Sequence, residues 1–479
     1  MADNSFYYKW FQKIMGFFIE LFFVAAVLAS LYVFTSFLNG IVRTISFLVI
    51  AAVYIAIVYL FKEKIRRLLD KLLVLIHGLD LKRMLIIILL SSLIFKVLCT
   101  IFFNFDATTS GDVEIYNQIA DQIIETGDIH SDAISHLYGV ALHFVLFKLL
   151  GLPLHVGLYI VFTAGTIINF FSFTKIVGKD KAFLAVMIYL LMPSTIFMSF
   201  CPTHEIFVYL YISLFLFIFN RLLKEGNIAK NILYSFLCVL ATVLTCFVNP
   251  GGYIIYIIMI LSVVLSNIVM YKKGLVLICL LLSVMCSNGV SKFLNVNKYT
   301  TTINTYTILI HGTNPESLGE QVDGYPLKQM RKFIYDNTLD FSEDGFVYAA
   351  KNVFINQCLY LLSHPIILFR LVLHKIYILW SGVHYPLELA NFYGTLSGVP
   401  YYLFLALSTF IYLFVLSIGL FFFRKKDCDD ITISNYKLEL LGVVGLTMFC
   451  IVANKYSIYV TLFIYLIAFY RSFIGEENA

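Results

Sequence analysis

Apolar runs of roughly 17 to 25 residues recur along almost the whole chain, each long enough to cross a hydrocarbon core of about 30 Å as a helix. Lipid cannot satisfy backbone N–H and C=O groups, so segments of this kind span as helices. The rest of the sequence agrees: 60% of the 479 residues are apolar and only 13% are charged, well below the roughly one-quarter charged content of soluble domains. The 46 Phe and 32 Tyr suit lipid-facing packing and interfacial belts alike. The fold expected is therefore an all-α polytopic membrane protein. The formal charge of +5 comes from short basic turns between spans and describes no nucleic-acid surface. Nine scattered cysteines form no CxxC or metal-ligand spacing and read as buried packing residues.

Orientation follows from where Lys and Arg fall, because cytoplasmic turns are enriched in them. Lys62, Lys64, Arg66, Arg67 and Lys71, followed by Lys82 and Arg83, anchor the inside. The segment from Ile14 is too long and aromatic for a cleavable signal and is read as a retained first helix. Spans are expected near 14–38, 42–61, 84–103, 155–174, 181–200, 203–220, 229–248, 252–270, 274–290, 400–423, 437–453 and 456–472. That is about twelve crossings with both termini cytoplasmic. The assignment treats residues 135–150 as a helix along the outer interface, since a further crossing there would put Lys175, Lys179 and Lys181 outside. Four regions result: 1–83, an N-terminal hairpin with its basic turn; 84–290, a transmembrane core carrying an external loop at 104–154; 291–399, an external region; and 400–479, the last spans. Within the third, Ile366 to Gly382 carries Arg370, His374 and Lys375 and reads as an interfacial or re-entrant helix.

The external stretch Asn104 to Phe147 has no Lys or Arg but contains Asp106, Asp112, Glu114, Asp121, Glu125, Asp128 and Asp132. Inside it, Asp112 to Thr126 puts Val113, Tyr116, Ile119, Ala120 and Ile123 on one helical face, polar residues on the other, and Gly127 at the stop. This predicts an amphipathic helix lying on the outer surface. Asp112 and Glu114 stand at its start, where the helix dipole stabilises carboxylates. They serve there either as caps or as chemical groups.

The pattern Ser110-Gly111-Asp112-Val113-Glu114-Ile115-Tyr116, with Ala120 following, precedes a second interfacial helix from His136 to Leu150 that ends in Gly151-Leu152-Pro153. Met192-Pro193-Ser194 through Glu205 adds a proline turn and an acidic residue on the same side. Together these resemble the first external loop and a later turn of GT-C superfamily glycosyltransferases, those related to protein O-mannosyltransferases and the lipid A aminoarabinose transferase above all. The resemblance covers about half the chain, as architecture and short motifs.

It implies a GT-C-like fold with two interfacial helices in the first large external loop. The implied activity is transfer of a sugar from a polyprenyl-phosphate donor such as undecaprenyl phosphate to a glycan, glycolipid or protein acceptor, with inversion, on the extracytoplasmic face. The family's catalytic carboxylate lies in that loop. Asp112 matches it best, then Asp106, then Glu114; in the family the Asp is commonly paired with a neighbouring acid or aromatic, and here Val113 interrupts any Asp-Glu pair. A carboxylate there acts as general base on the acceptor hydroxyl. The leaving phosphate calls for cations, and the candidates are Lys96, Arg370, His374 and Lys375. For Lys96 the alternative is snorkelling to the interface; for Arg370 and Lys375 it is interfacial anchoring. Tyr116, His136, Glu205 and Trp380 are the candidate substrate contacts.

No cofactor is required by the sequence. Some GT-C relatives use a divalent ion, but His136, His143 and His204 lack metal-ligand spacing. His311-Gly312-Thr313-Asn314-Pro315 and Gly319 through Gly324 form a turn-rich loop able to cover an acceptor. External Asn residues form no N-x-Ser/Thr sequon, which points to a bacterial plasma membrane. Two other classes remain open. A transporter or flippase for lipid-linked glycans is expected to show related halves and paired ionisable residues at the midplane, and a polysaccharide polymerase is expected to rely on external Arg residues.

Overall fold

The computed structural model describes residues 3–33, 35, 40–103, 112–128, 135–198, 204–249, 253–265, 269–294, 298–320, 322–339, 341–380, 396–421, 431–449 and 461–473. Among the described residues every regular element is a helix. The protein is an integral membrane protein: α1 (Asp3–Val33), α2 (Gly40–His77), α6 (Leu154–Val177), α9 (His204–Lys224), α10 (Ile228–Val248), α12 (Met270–Phe293) and α17 (Gly398–Phe421) each contain a stretch long and apolar enough to span. An eighth span forms if α15 (Glu343–Ser363) and α16 (Pro365–Trp380), bent by 107° at the break between them, count as one.

Several of the twelve expected spans take a different form. The run 181–200 breaks into α7 (Lys179–Leu191) and the single turn α8 (Pro193–Met198), with Met192 extended between them at φ −74°, ψ 123°. Pro193 explains the break, because its ring forces the preceding residue out of the helical region and it has no N–H to continue the ladder. The run 252–270 gives the 12-residue α11 (Ile254–Leu265). The last runs give α18 (Ile431–Phe449) and α19 (Thr461–Phe473). In α19 the side chains of residues 461–470 are all buried, so this helix is apolar all round because protein surrounds it.

Small and polar residues let these helices approach closely, as they must where lipid supplies no hydrophobic drive to associate. A Cβ on Gly165 of α6 would stand 2.7 Å from the Tyr209 ring of α9, and one on Gly442 of α18 would stand 2.0 Å from Ile254 of α11. Asn169 donates to Ser213 Oγ at 2.7 Å, tying α6 to α9. Asn435 of α18 donates to Asn220 Oδ1 of α9 at 2.7 Å and accepts from Ser262 of α11 at 3.3 Å.

The basic turns gather at one end. His77 Nδ1 lies 2.8 Å from Asp180 Oδ2, and Lys179 Nζ donates to the Leu79 carbonyl at 2.9 Å. At the same end of α9, Lys272 Nζ donates to the carbonyls of Leu222 and Glu225. From this end α3 (Leu81–Phe103) runs away. Beyond its far end come α4 (Asp112–Thr126) and α5 (Ser135–Leu149).

The amphipathic helix forms over the residues expected of it. Val113, Tyr116, Ala120 and Ile123 are buried, Gln118, Asp121, Gln122 and Glu125 are exposed, and Gly127 ends it at φ +69°, a left-handed conformation that favours glycine. At 15 residues, α5 is about 22 Å long and falls short of a 30 Å core. It packs on the far end of α10: a Cβ on Gly139 would stand 2.5 Å from the Phe247 carbonyl oxygen, and the Tyr138 ring meets the Phe247 ring edge-on at 6.4 Å.

Candidate functional site

Asp106 and the side chains of Asp112, His136 and Trp380 lie outside the described residues. Asp112 itself is the first residue of α4, so its position is set by how α4 is held. Two contacts hold it. Tyr116 is 1% exposed and meets Phe144 of α5 edge-on at 5.7 Å. Asp121 takes an ion pair from Lys148 at 2.6 Å, and α5 is in turn seated on α10. Tyr116 therefore packs α4 onto α5 and positions the helix; it is not open to a substrate. Glu114 is exposed and accepts from Gln118 one turn later at 3.3 Å.

Lys96 does not snorkel. Only 6% of its surface is exposed, its Nζ lies 5.5 Å from the centre of the Tyr159 ring, and it lines a void of about 10 Å³ with Ser92, Phe95, Phe162, Leu190, Thr195 and Ile196. Such a void holds about one water. The broken helix α7–α8 thus supplies part of the wall around an intramembrane cation, which the proline turn makes possible by ending α7 at Leu191. Glu205, in the first turn of α9, is fully buried with its Oε1 3.0 Å from His204 Nε2. A helix N-terminus favours a carboxylate there.

A second group forms on α16 and the loop it carries. Lys375 is fully buried. A Cβ on Gly319, whose φ is +90°, would stand 2.7 Å from Lys375 Cε and 3.1 Å from the Gly312 carbonyl oxygen. Glycine is needed there for both the backbone conformation and the approach of the lysine. His374 Nε2 lies 2.7 Å from Glu320 Oε1, so the loop after α13 (Lys298–Gly312) is pinned to α16 at two adjacent residues. Arg370 is exposed, one turn earlier on the same helix.

Buried polar contacts shape that loop. Asn314 Oδ1 accepts from the Glu316 amide at 2.9 Å, an Asx turn. Thr313 donates to Gln357 Oε1 of α15 at 2.8 Å, and Gln357 donates to the Tyr325 hydroxyl of α14 (Tyr325–Asp336) at 3.0 Å. The Val322 amide donates to His311 Nδ1 at 3.3 Å.

Burial holds the His311 imidazole below the usual histidine range, with Asp323 pulling weakly the other way. The neutral ring is thus the folded one. An unfolded chain takes up the proton first as pH falls, so this contribution is full above about 6.5 and is lost as pH drops through the lower folded value. Amide exchange at Val322, corrected for its intrinsic pH dependence, is expected to lose protection on acidification through this range. In His311→Gln the protection should be flat with pH; an unchanged slope would assign the effect to another group.

Sequence reasoning passed over Glu320, Gln357 and Glu439. The first two become meaningful only once the loop folds onto α15 and α16. Glu439 carried a signal, being a carboxylate inside an apolar run. It is fully buried on α18, and neither carboxylate oxygen has a hydrogen-bond partner among the described residues. Among the described residues no three His, Cys, Asp or Glu side chains are grouped to hold a metal ion.

No family model matches the chain, and no curated protein matches it. Two solved structures resemble it weakly. The crystal structure of ArnT from Cupriavidus metallidurans bound to undecaprenyl phosphate is 11% identical, with a TM-score of 0.38 over 83% of this chain and 79% of that one. The apo state of the same protein is 12% identical, with a TM-score of 0.34 over 80% and 77%. At these values the likeness identifies neither a family nor an activity.

Proposed function

We propose that this chain is a GT-C-type membrane glycosyltransferase that moves a sugar from a polyprenyl-phosphate donor to an acceptor on the extracytoplasmic face. The observation that carries the reading is Lys96, a lysine buried inside the membrane bundle beside α8. Desolvating an ammonium there is costly and marks a functional site by default. Its charge adds to the binding of an anionic headgroup entering from the lipid. The acidic α4, firmly packed at the end of the bundle away from the basic turns, supplies the complementary group.

The chemistry is a single displacement. The acceptor hydroxyl oxygen attacks the anomeric carbon as its proton passes to the Asp112 carboxylate. The bond from that carbon to the phosphate oxygen breaks on the opposite side, and both electrons leave with the phosphate, so configuration inverts. Lys96 and Lys375 stabilise the charge that collects on the phosphate oxygens. Arg370 and the Glu320-tethered His374 lie along the same helix as Lys375 and serve donor entry. Glu205 and the loop 313–324 face the acceptor. Twelve crossings, with the basic turns cytoplasmic, complete the reading.

The test uses purified full-length protein in nanodiscs loaded with a polyprenyl-phosphate sugar. Release of free polyprenyl phosphate with transfer of sugar to water or an added acceptor is the expected result. One observation favours transport instead, the buried Glu439 with Asn435 one turn before it and Asn220 bonded to that amide. Passage of the intact lipid-linked sugar across proteoliposome membranes, without cleavage, would establish that reading and overturn the first.

A further inference from the structure

At the end of the bundle that carries the basic turns, the last turns of α6 and α9 and the first turns of α10 enclose a cleft of about 410 Å³. Its wall is Ser172, Lys175, Phe217, Asn220, Arg221, Lys224, Glu225 and Tyr234. The volume lies in the range of small-molecule sites. This end is remote in the topology from α4, α5 and the loop on α16, so the cleft has no part in the sugar transfer proposed above.

We propose that this cleft binds a phosphate-bearing anion, as an acidic phospholipid headgroup or a soluble phosphate ester. Lys175, Arg221 and Lys224 bring three cations to it against one carboxylate. That carboxylate is engaged elsewhere: Glu225 Oε1 accepts from the amides of Gly226 and Asn227 at 3.0 Å each, and Oε2 lies 3.7 Å from Lys230. The Asn227 amide, more than any other group, holds the Glu225 carboxyl below its usual range. Two carbonyls at this end of α9, those of Leu222 and Glu225, do not draw on the cleft either, because Lys272, buried behind them, donates to both. By side-chain count the wall is therefore net positive.

The second observation is Asn220. It is 6% exposed and lines the cleft. Its Oδ1 is occupied by the Asn435 amide, while its own Nδ2 is buried and has no hydrogen-bond partner among the described residues. A buried donor left open costs stability, and here it belongs to a wall that already carries three cations. Arg221 is held at the mouth by the Phe217 ring, 4.5 Å from its guanidinium carbon. A guanidinium so placed presents its fork to a phosphate bidentately. Ser172 and Tyr234 add hydroxyls that suit the remaining oxygens.

The test is native mass spectrometry of the detergent-solubilised full-length protein, titrated separately with phosphatidylglycerol, phosphatidylcholine and inorganic pyrophosphate. Lys175 and Arg221 are both exposed, so Lys175→Gln/Arg221→Gln is expected to fold. The wild type should hold phosphatidylglycerol or pyrophosphate well above phosphatidylcholine, and the double variant should lose about tenfold or more of that affinity, two surface cations having gone. Arg67→Gln, an exposed cation of the same basic end but outside the cleft, should bind as the wild type does. Retention of the lipid with no pyrophosphate bound assigns the site to a headgroup; direct pyrophosphate binding assigns it to a soluble ester. Equal binding of phosphatidylglycerol and phosphatidylcholine, a double variant that binds as the wild type, or an equal loss in Arg67→Gln would overturn the proposal.

Discussion

Replacing Asp112 by Asn lowers sugar transfer by about 10²–10⁴-fold, the range a general base contributes, while the protein still folds and still binds the donor. The amide keeps the shape and some of the hydrogen bonding of the carboxylate but cannot accept the acceptor's proton. Donor binding should survive because its phosphate is held by the cations, not by this group. Turnover in nanodiscs, with donor affinity measured separately on the same sample, reads the two quantities apart. Glu114→Gln is the control, since Glu114 is exposed and engaged with Gln118 on the outer face of α4. It should cost little. Full activity in Asp112→Asn together with a large loss in Glu114→Gln would transfer the role to Glu114, and full activity in both would remove α4 from the chemistry.

Lys96→Met is expected to lower kcat/KM for the donor by about 10²-fold, the effect of removing one preorganised stabiliser of developing charge. The methionine fills nearly the same volume, so packing against Tyr159, Phe162 and Leu190 changes little. Lys96→Arg should fail to restore activity even though the charge returns. Arg carries its charge on a planar, delocalised fork instead of a compact ammonium, and the two are not interchangeable where a point charge is needed. A purely structural lysine would show the reverse pattern, with stability lost and kcat/KM intact in the molecules that fold. Steady-state kinetics on both variants, beside their melting temperatures, separate the two cases.

Much of this was legible in the sequence, and the reasons are specific. The helix Asp112–Thr126 was readable to its ends because its apolar face, its polar face and its terminal glycine all gave one answer. The basic turns were readable because charge at membrane depth is costly, which leaves few places for Lys and Arg to go. The burial of Lys96 was not. A lysine two turns from a helix end can snorkel or turn inward, and which it does depends on α6, α7 and α8, the first of which begins 58 residues downstream (154 against 96). Nor did the apolar run at 181–200 reveal that Pro193 would split it, since hydropathy averages over a break of one residue. The loop 313–324 announced itself only as turn-rich. Its tie to α16 through Glu320 and His374 joins residues too far apart for any local pattern, whereas Glu439 did carry a signal, a carboxylate inside an apolar run, that hydropathy averaging passes over.

The bonds that Asn435 makes carry a consequence for how the chain is put into the membrane. The segment that becomes α18 emerges late, with Asn435 and the buried carboxyl group of Glu439 one turn apart. An acidic residue at the centre of a helix costs about 2.5–3.5 kcal/mol on insertion, so α18 is a poor independent passenger of the translocon. Its partners Asn220 and Ser262, however, are synthesised more than 170 residues earlier and are already in place. Assembly is therefore expected to be templated, with the early helices acting as a receptor for the late one. In an in vitro insertion assay α18 alone should stay largely uninserted, and in the full-length chain Asn220→Leu should delay its entry.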